Sequence, residues 1–200
     1  MEVISKLLNI PVTLSIKLWP MLNRLMMKSR GTKIGKNICI PGRIYVMGNG
    51  KITIGDDFYF SSGNAVNPIS SNLRGALYVE EGAQLKIGSH VGMSSTRIWA
   101  SQAITIGDHV NIGGGTLITD TDAHSLDWLD RRHGRGEVPS VPIVIGDDVW
   151  IGAQCIILKG VTIGPRSIIG AGSVVTHSIP ADSIAAGNPC KVLRKINSKD

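Results

Sequence analysis

Five histidines, three cysteines and one charged loop are the residues with which this 200-residue chain could do chemistry. His124 stands apart. It lies in Thr119-Asp120-Thr121-Asp122-Ala123-His124-Ser125-Leu126-Asp127, where a regular apolar pattern stops and a polar stretch, residues 119–142, begins. A neutral imidazole is the usual general base near pH 7. Acyl transfer from a thioester to an alcohol is one reaction such a base supports. The hydroxyl loses its proton as its oxygen attacks, and no Ser or Cys nucleophile is needed if both substrates bind together. The other reading of His124 is a surface histidine with no role. Cys39, Cys155 and Cys190 are far apart and form no C-x-x-C pair. That argues against a disulfide framework or a zinc site and fits a reducing compartment.

The elements that must position such a histidine show in a period of six. From Ile145, steps of six reach Ile151, Ile157, Ile163, Ile169 and Val175, all β-branched and aliphatic. Gly follows at 146, 152, 164 and 170, and small or modest residues stand four places on, at Val149, Cys155, Val161, Ser167 and Ser173. Helical periodicity does not produce this pattern, whereas a parallel β-helix does: each unit makes one short strand and one turn, three units close a triangular coil, and the aliphatic residue points inward. Gly is expected in the turn because it accepts positive φ. The phase recurs at Ile106-Gly107, Ile112-Gly113 and Ile118, and isolated units stand at Ile34-Gly35, Ile54-Gly55 and Ile87-Gly88. Their irregular spacing predicts bulges or longer corners in the first coils. Few aromatic residues (4%) and 24 glycines agree with many short strands and turns.

Stacked coils leave open ends that need caps. The expected organisation is a segment 1–33 that caps the coil or faces a membrane, a hexapeptide-repeat β-helix over 34–180 with the loop 119–142 inserted, and a C-terminal cap and tail over 181–200. The last stretch reads as a short helix or a strand. Residues 12–27 place Leu14, Leu18, Leu22 and Leu25/Met26 at roughly helical spacing, with a kink or break at Pro20. Residues 1–36 hold seven bases and one acid, Glu2, which accounts for the whole formal net charge of +6. The high charge is therefore no argument for a nucleic-acid groove, and no basic-aromatic interleaving is present. Such a basic amphipathic segment either buries its leucines on the first coil or lies in an anionic membrane interface. Lys6, Asn9, Pro11 and Lys17 interrupt it, so it reads as neither a signal peptide nor a membrane span.

Several runs resemble one family. Thr121-Asp122-Ala123-His124-Ser125-Leu126-Asp127, followed by Arg131-Arg132, resembles the catalytic-histidine segment of the maltose, galactoside and nodulation-type O-acetyltransferases. The stretch from Gly136-Glu137 through Pro142-Ile143-Val144-Ile145-Gly146 to Val149-Trp150-Ile151-Gly152 resembles that family's G-E-x-x-S-x-P-I-x-I-G-x-x-V-W-I-G. Ile179-Pro180-Ala181-Asp182-Ser183 through Ala186-Gly187-Asn188-Pro189-Cys190-Lys191-Val192 resembles its close. The likeness is specific from about residue 100 onward, generic over 34–99 and absent over 1–33.

The resemblance implies a mainly β fold: a left-handed parallel β-helix with a protruding loop and short helical terminal segments, although the general crossover rule favours a right-handed coil. It implies an acyltransferase that moves an acetyl group from acetyl-CoA to a hydroxyl, rather than an amine, of a sugar or glycan. His124 would be the base. Trp150, Ala153, Ala171 and Thr176 would line the CoA arm, and Lys191 and Arg194 would meet its phosphates. Tyr59, Ser61, Asp127, Arg131 and Glu137 are the candidates for the acceptor. It further implies a homotrimer with active sites between subunits and no metal, while the cysteine usage and the basic segment at the N-terminus point to the cytoplasm or the inner face of a membrane. Two departures concern the acceptor: Ser61 stands where the family has a sugar-binding Asn after I-G-x-x-F-Y-x, and the N-terminal motif for small free sugars is missing. The acceptor is then a different glycan, of the kind met in capsule or exopolysaccharide synthesis. Two other classes share such a coil. A γ-class carbonic anhydrase needs an H-x4-H pair, which His90, His109, His124, His133 and His177 do not make. A non-catalytic scaffold would need neither the loop histidine nor the CoA-type ending.

Overall fold

The computed structural model describes residues 2–63, 65–70 and 73–196, with side chains from Ile16 onward, Ser70 aside. Among them are nineteen strands, β1–β19 in chain order, arranged as three walls of a triangular prism. The first wall stacks β1 (Lys33–Ile34), β3 (Lys51–Ile54), β6 (Gln84–Ile87), β9 (Ala103–Ile106), β12 (Ile143–Ile145) and β15 (Thr162–Ile163). The second stacks β4 (Tyr59–Ser61), β7 (Gly92–Ser94), β10 (Asn111–Ile112), β13 (Trp150–Ile151), β16 (Ile168–Ile169), β18 (Ser183–Gly187) and β19 (Cys190–Lys195). The third stacks β2 (Tyr45–Met47), β5 (Ala76–Val79), β8 (Arg97–Ala100), β11 (Leu117–Thr119), β14 (Ile156–Ile157) and β17 (Val174–Val175).

A regular coil closes after three of the repeat units, because Ile145 pairs with Ile163, Ile151 with Ile169 and Ile157 with Val175, each the third repeat position onward. These aliphatic side chains fill the prism axis and are buried, as are the small residues Val149, Cys155, Val161, Ser167 and Ser173 at the corners. The isolated Ile-Gly units fall into the same column: Ile34, Ile54, Ile87, Ile106, Ile145 and Ile163 pair in sequence up the first wall. Two of its intervals are long. The stretch from Ile106 to Ile145 is more than double a regular coil and contains the expected loop. The stretch from Ile54 to Ile87 is nearly double a coil and contains a second excursion, with a 3-10 turn at Pro68–Ser70 between β4 and β5.

The role expected for the repeat glycines needs correction. Gly35, Gly55, Gly88, Gly107 and Gly146 do not have positive φ; that conformation falls two positions later, on Asn37, Asp57, His90, His109 and Asp148 (φ between 54° and 58°). The repeat glycines are required by proximity instead. A Cβ on Gly88 would sit 2.6 Å from the main-chain carbon and oxygen of Gly107, and one on Gly55 would sit 2.7 Å from the main-chain carbon of Gly88. Each coil rests on its neighbour where a side chain would stand.

The N-terminal helix is longer than the short one expected, and the C-terminal stretch takes the strand rather than the helix of its two readings. At the N-terminus α1 (Glu2–Ser29) is a 28-residue helix that continues through Pro11 and Pro20, so no break occurs there. A proline removes one main-chain hydrogen bond, yet its φ suits a helix, and this helix is pinned beyond Pro20. Asn23 and Met27 are buried, and Asn23 Nδ2 donates to Ile40 O (3.0 Å) and Gly42 O (2.7 Å). At the C-terminus the chain makes a strand. It reverses at Asn188-Pro189, and β19 runs antiparallel to β18, the antiparallel pair in walls otherwise parallel. Residues 190–195 fold against an open strand edge, which supplies main-chain partners that a helix at that place would leave unused.

Candidate active site

The outer face of the second wall carries a groove of about 620 Å³. Pairing registers place Tyr59, Gly92, Asn111, Trp150 and Ile168 in one outward column, while Phe60, Met93, Ile112, Ile151 and Ile169 turn inward. With strands stacked ~4.8 Å apart, the column from β4 to β16 is roughly 19 Å long. Much of its floor is glycine (Gly92, Gly113, Gly114, Gly152, Gly170), so main-chain groups lie bare to a bound molecule. Trp150, Ala153 and Ala171 line the end nearer the C-terminus, and Tyr59 and Ser61 the end nearer the N-terminus. Trp150 and Tyr59 are about half exposed.

The N-terminal end is polar, and sequence reasoning missed part of it. Asn67, from the second excursion, donates from Nδ2 to Ser94 Oγ (2.7 Å), and Ser61 Oγ donates to Ser94 Oγ (2.9 Å). Asn111 adds an amide. The long interval between Ile54 and Ile87 was the available signal, since it exceeds a coil by nearly a second one.

His124 does not line this groove. It follows β11 on the third wall, is exposed, and takes no hydrogen bond or ion pair from the described residues of its own chain. Its backbone is firmly set. The loop is clipped at its base by a Thr121–Ser140 antiparallel bridge and by Asp122 N–H to Pro139 O (3.0 Å). Ala123, the residue before it, is held at φ 63°, an uncommon place for a residue with a Cβ. Ala123 N–H reaches Thr121 Oγ1 (3.1 Å), and Asp122 Oδ1 pairs with Lys159 Nζ at 2.7 Å. Asp120, fully buried, accepts from the amides of Ser101, Gln102 and Ala103 and so ties the loop entrance to the preceding coil.

Of the other loop candidates, Asp127 caps α2 (Trp128–Arg132), accepting from Leu129 N–H (2.8 Å) and Asp130 N–H (2.9 Å). Arg131 donates to Ser125 O (2.7 Å) and Leu126 O (3.1 Å), which holds the backbone just after His124. Glu137 is exposed. Thr176 Oγ1 lies 2.9 Å from His177 Nδ1, outside the groove lining, and Lys191 and Arg194 project from β19 at the C-terminal end. Leu126, Trp128, Leu129, Val138 and Val141 are exposed apolar residues on the loop. Among the described residues no group of three or more His, Cys, Asp or Glu side chains is placed to hold a metal ion.

Comparison with known proteins decides the family. The model of the bacterial transferase hexapeptide (six repeats) matches residues 142–177. A solved hexapeptide-repeat acetyltransferase of Vibrio cholerae O1 biovar eltor, complexed with acetyl coenzyme A, superposes with a TM-score of 0.60 at 30% identity, over 89% of this chain and 79% of that one. The chain belongs to the hexapeptide-repeat acetyltransferase family. The coil is accordingly the left-handed parallel β-helix of these acetyltransferases. A galactoside acetyltransferase in complex with coenzyme A has a TM-score of 0.60 at 26% identity, over 96% of this chain and 82% of that one. The galactoside O-acetyltransferase of Escherichia coli (strain K12) is 41% identical over 125 residues, 62% of this chain. The chain spans 60% of that relative's length and 40% of a putative acetyltransferase of Saccharomyces cerevisiae that it also matches.

Proposed function

We propose that the chain is an acyl-CoA-dependent O-acetyltransferase that works as a homotrimer, each active site combining the groove of one subunit with His124 of a neighbour. One observation carries the reading: a groove with a bare main-chain floor and an exposed, rigidly mounted histidine lie on different faces of one chain, so neither is complete alone. Coils of this shape pack by flat walls around a threefold axis, and the exposed apolar residues of the loop and of Trp150 suit such a contact. Residues 34–180 form the catalytic coil, residues 181–200 close its end, and the protein acts in the cytoplasm.

Trp150, Ala153, Ala171 and Thr176 hold the acetyl-CoA arm, and Lys191 and Arg194 attract its phosphates. Tyr59 and Ser61, with Asn67 and Ser94 beside them, receive a glycan of surface polysaccharide synthesis, and Glu137 lies at the rim of that acceptor site. His124 accepts the acceptor's hydroxyl proton as the oxygen attacks the thioester carbonyl. The C–S bond then breaks, and the imidazolium returns the proton to the departing sulfur, leaving an acetyl ester and free CoA. Asp127 and Arg131 set the loop that presents His124.

The test is transfer of labelled acetyl from acetyl-CoA to sugars, nucleotide sugars and lipid-linked oligosaccharides, coupled to subunit mixing. His124→Ala and Ala171→Trp trimers are each inactive on this reading. Remixed one to one, they regain about a quarter of the sites, those pairing an intact groove with an intact neighbouring histidine. No recovery in proven mixed trimers refutes the shared site, and no transfer to any acceptor by the wild type refutes the activity.

A further inference from the structure

The helix α1 has two faces that differ in kind. One face docks, through Asn23 and Met27, on the coil that holds Ile40 and Ile44. The other carries Leu18, Met21, Leu22 and Leu25, a stripe at i, i+3, i+4 and i+7 whose members are 44%, 57%, 42% and 59% exposed. Lys17, Arg24 and Lys28, also exposed, run beside it at spacings of seven and four, along one flank. Directly after the helix, Arg30, Lys33, Lys51 and Lys86 line a cleft of about 520 Å³ with no acidic residue in its described walls. None of these four is engaged in an ion pair within the described chain.

Charge decides what covers the stripe. A second copy of the helix would bring the same bases together, and residues 1–36 hold a single acid, Glu2, to offset seven of them. Like charges along a helix seam oppose association. An anionic lipid surface meets both features at once, since leucine and methionine enter the interface while lysine and arginine stay at headgroup level. No helix of the described chain is long and apolar enough to cross a membrane, so α1 would lie on the surface.

We infer that α1 seats the protein on an anionic phospholipid membrane, with Leu18, Met21, Leu22 and Leu25 in the interface and Lys17, Arg24, Lys28 and the cleft of Arg30, Lys33, Lys51 and Lys86 facing headgroup phosphates. The docked end of α1 rests on Ile40 and Gly42, and Cys39 pairs with Tyr59. The helix that meets the membrane is therefore docked at the Tyr59 end of the groove. On the acyl-transfer reading, that end receives the acceptor, so the acceptor is a lipid-linked glycan. The membrane contact itself does not depend on that reading.

The experiment is sedimentation of the full chain with vesicles of phosphatidylglycerol and phosphatidylcholine, against phosphatidylcholine alone, at low and high salt. Binding is expected only with the anionic vesicles, weakening as salt screens the bases. Lys17→Gln with Arg24→Gln and Lys28→Gln lowers partitioning about fivefold per base, about 100-fold in all. Met21→Ser with Leu25→Ser removes binding although every charge remains. All five positions are exposed, so unfolding temperature and acetyl-CoA binding stay at wild-type values and separate lost docking from lost fold or function. Equal binding to neutral vesicles, or no binding to anionic ones at low salt, overturns the inference. So does a Met21→Ser, Leu25→Ser variant that keeps vesicle binding while breaking an assembly larger than a trimer, which assigns the stripe to a second copy.

Discussion

Alanine placed at two glycines of the same groove region separates the two reasons a coil uses glycine. At Gly152 φ is outside the left-handed region, but a Cβ would lie 2.5 Å from Ala171 N and 2.8 Å from Ala171 Cα. Carbon atoms at rest need ~3.5 Å or more, so the two coils must part by about 1 Å. The Gly152 N–H to Ile169 O bond, now 2.8 Å, would then stretch beyond hydrogen-bond range. One buried hydrogen bond (~1 kcal/mol) and an overpacked wall (~1–3 kcal/mol) together cost about 2–4 kcal/mol. At Gly172, φ is +71° and nothing lies within 4 Å of the site of a Cβ. Alanine there meets only the left-handed penalty, roughly 1 kcal/mol. For a chain of this size each kcal/mol shifts the melting temperature by about 2–4 °C. Gly152→Ala should melt about 5–15 °C below wild type and Gly172→Ala about 2–4 °C below, followed by circular dichroism at one fixed protein concentration, because assembly makes melting concentration-dependent. Gly152→Ala should also lose acetyl-CoA affinity beyond its loss of stability, since Gly152 is part of the groove floor. If the two variants melt together, or Gly172→Ala melts lower, the close-approach account of the repeat glycines is wrong.

Three further outcomes are expected. His124→Ala should keep fold and acetyl-CoA binding while turnover falls about 100-fold or more; steady-state kinetics at saturating acceptor check this, and unchanged turnover removes His124 from the chemistry. Lys191→Glu with Arg194→Glu should raise KM for acetyl-CoA more than KM for a phosphate-free thioester, because the charge reversal repels only the phosphates; equal losses would make these residues structural. Burial pushes the Cys155 and Cys190 thiols up from their ordinary value, so both stay protonated at neutral pH, whereas Cys39 is exposed. Timed alkylation followed by mass spectrometry should label Cys39 rapidly in the native protein and the other two only in denaturant, and early labelling of Cys155 would contradict the buried thiol.

Much of the architecture was legible because its rule is local. Each repeat unit makes one strand and one corner, and the aliphatic position must face inward whatever coil lies above or below. The run Ile145 to Val175 therefore announced the prism, and the failure of its period over 119–142 announced the loop. The two ends were less legible. Val192, Leu193 and Ile196 suit a helix or a strand, and the choice went to the strand because β18 offered an unpaired edge. That α1 divides its apolar residues between a docked face and a bare one was invisible, since Met27 and Leu25 look alike in sequence and only the fold exposes one of them.

The candidate site shows the same division. Trp150, Ala153 and Ala171, singled out by resemblance to family runs, line the groove, whereas His124, singled out in the same way, does not. Asn67, Ser94 and Asn111 were not singled out, and neither was the column they join. Tyr59, Gly92, Asn111, Trp150 and Ile168 follow one another along the chain at unequal intervals with no common period, yet they stack as direct neighbours. Sequence alone determined which residues turn inward and where a coil can close, because those depend on side-chain alternation and corner geometry over a short stretch of chain. Which outward residues become neighbours, and that the histidine stands on another face from the groove, was decided only by stacking, because excursions of different length change the count between coils while hydrogen bonding holds each strand in register.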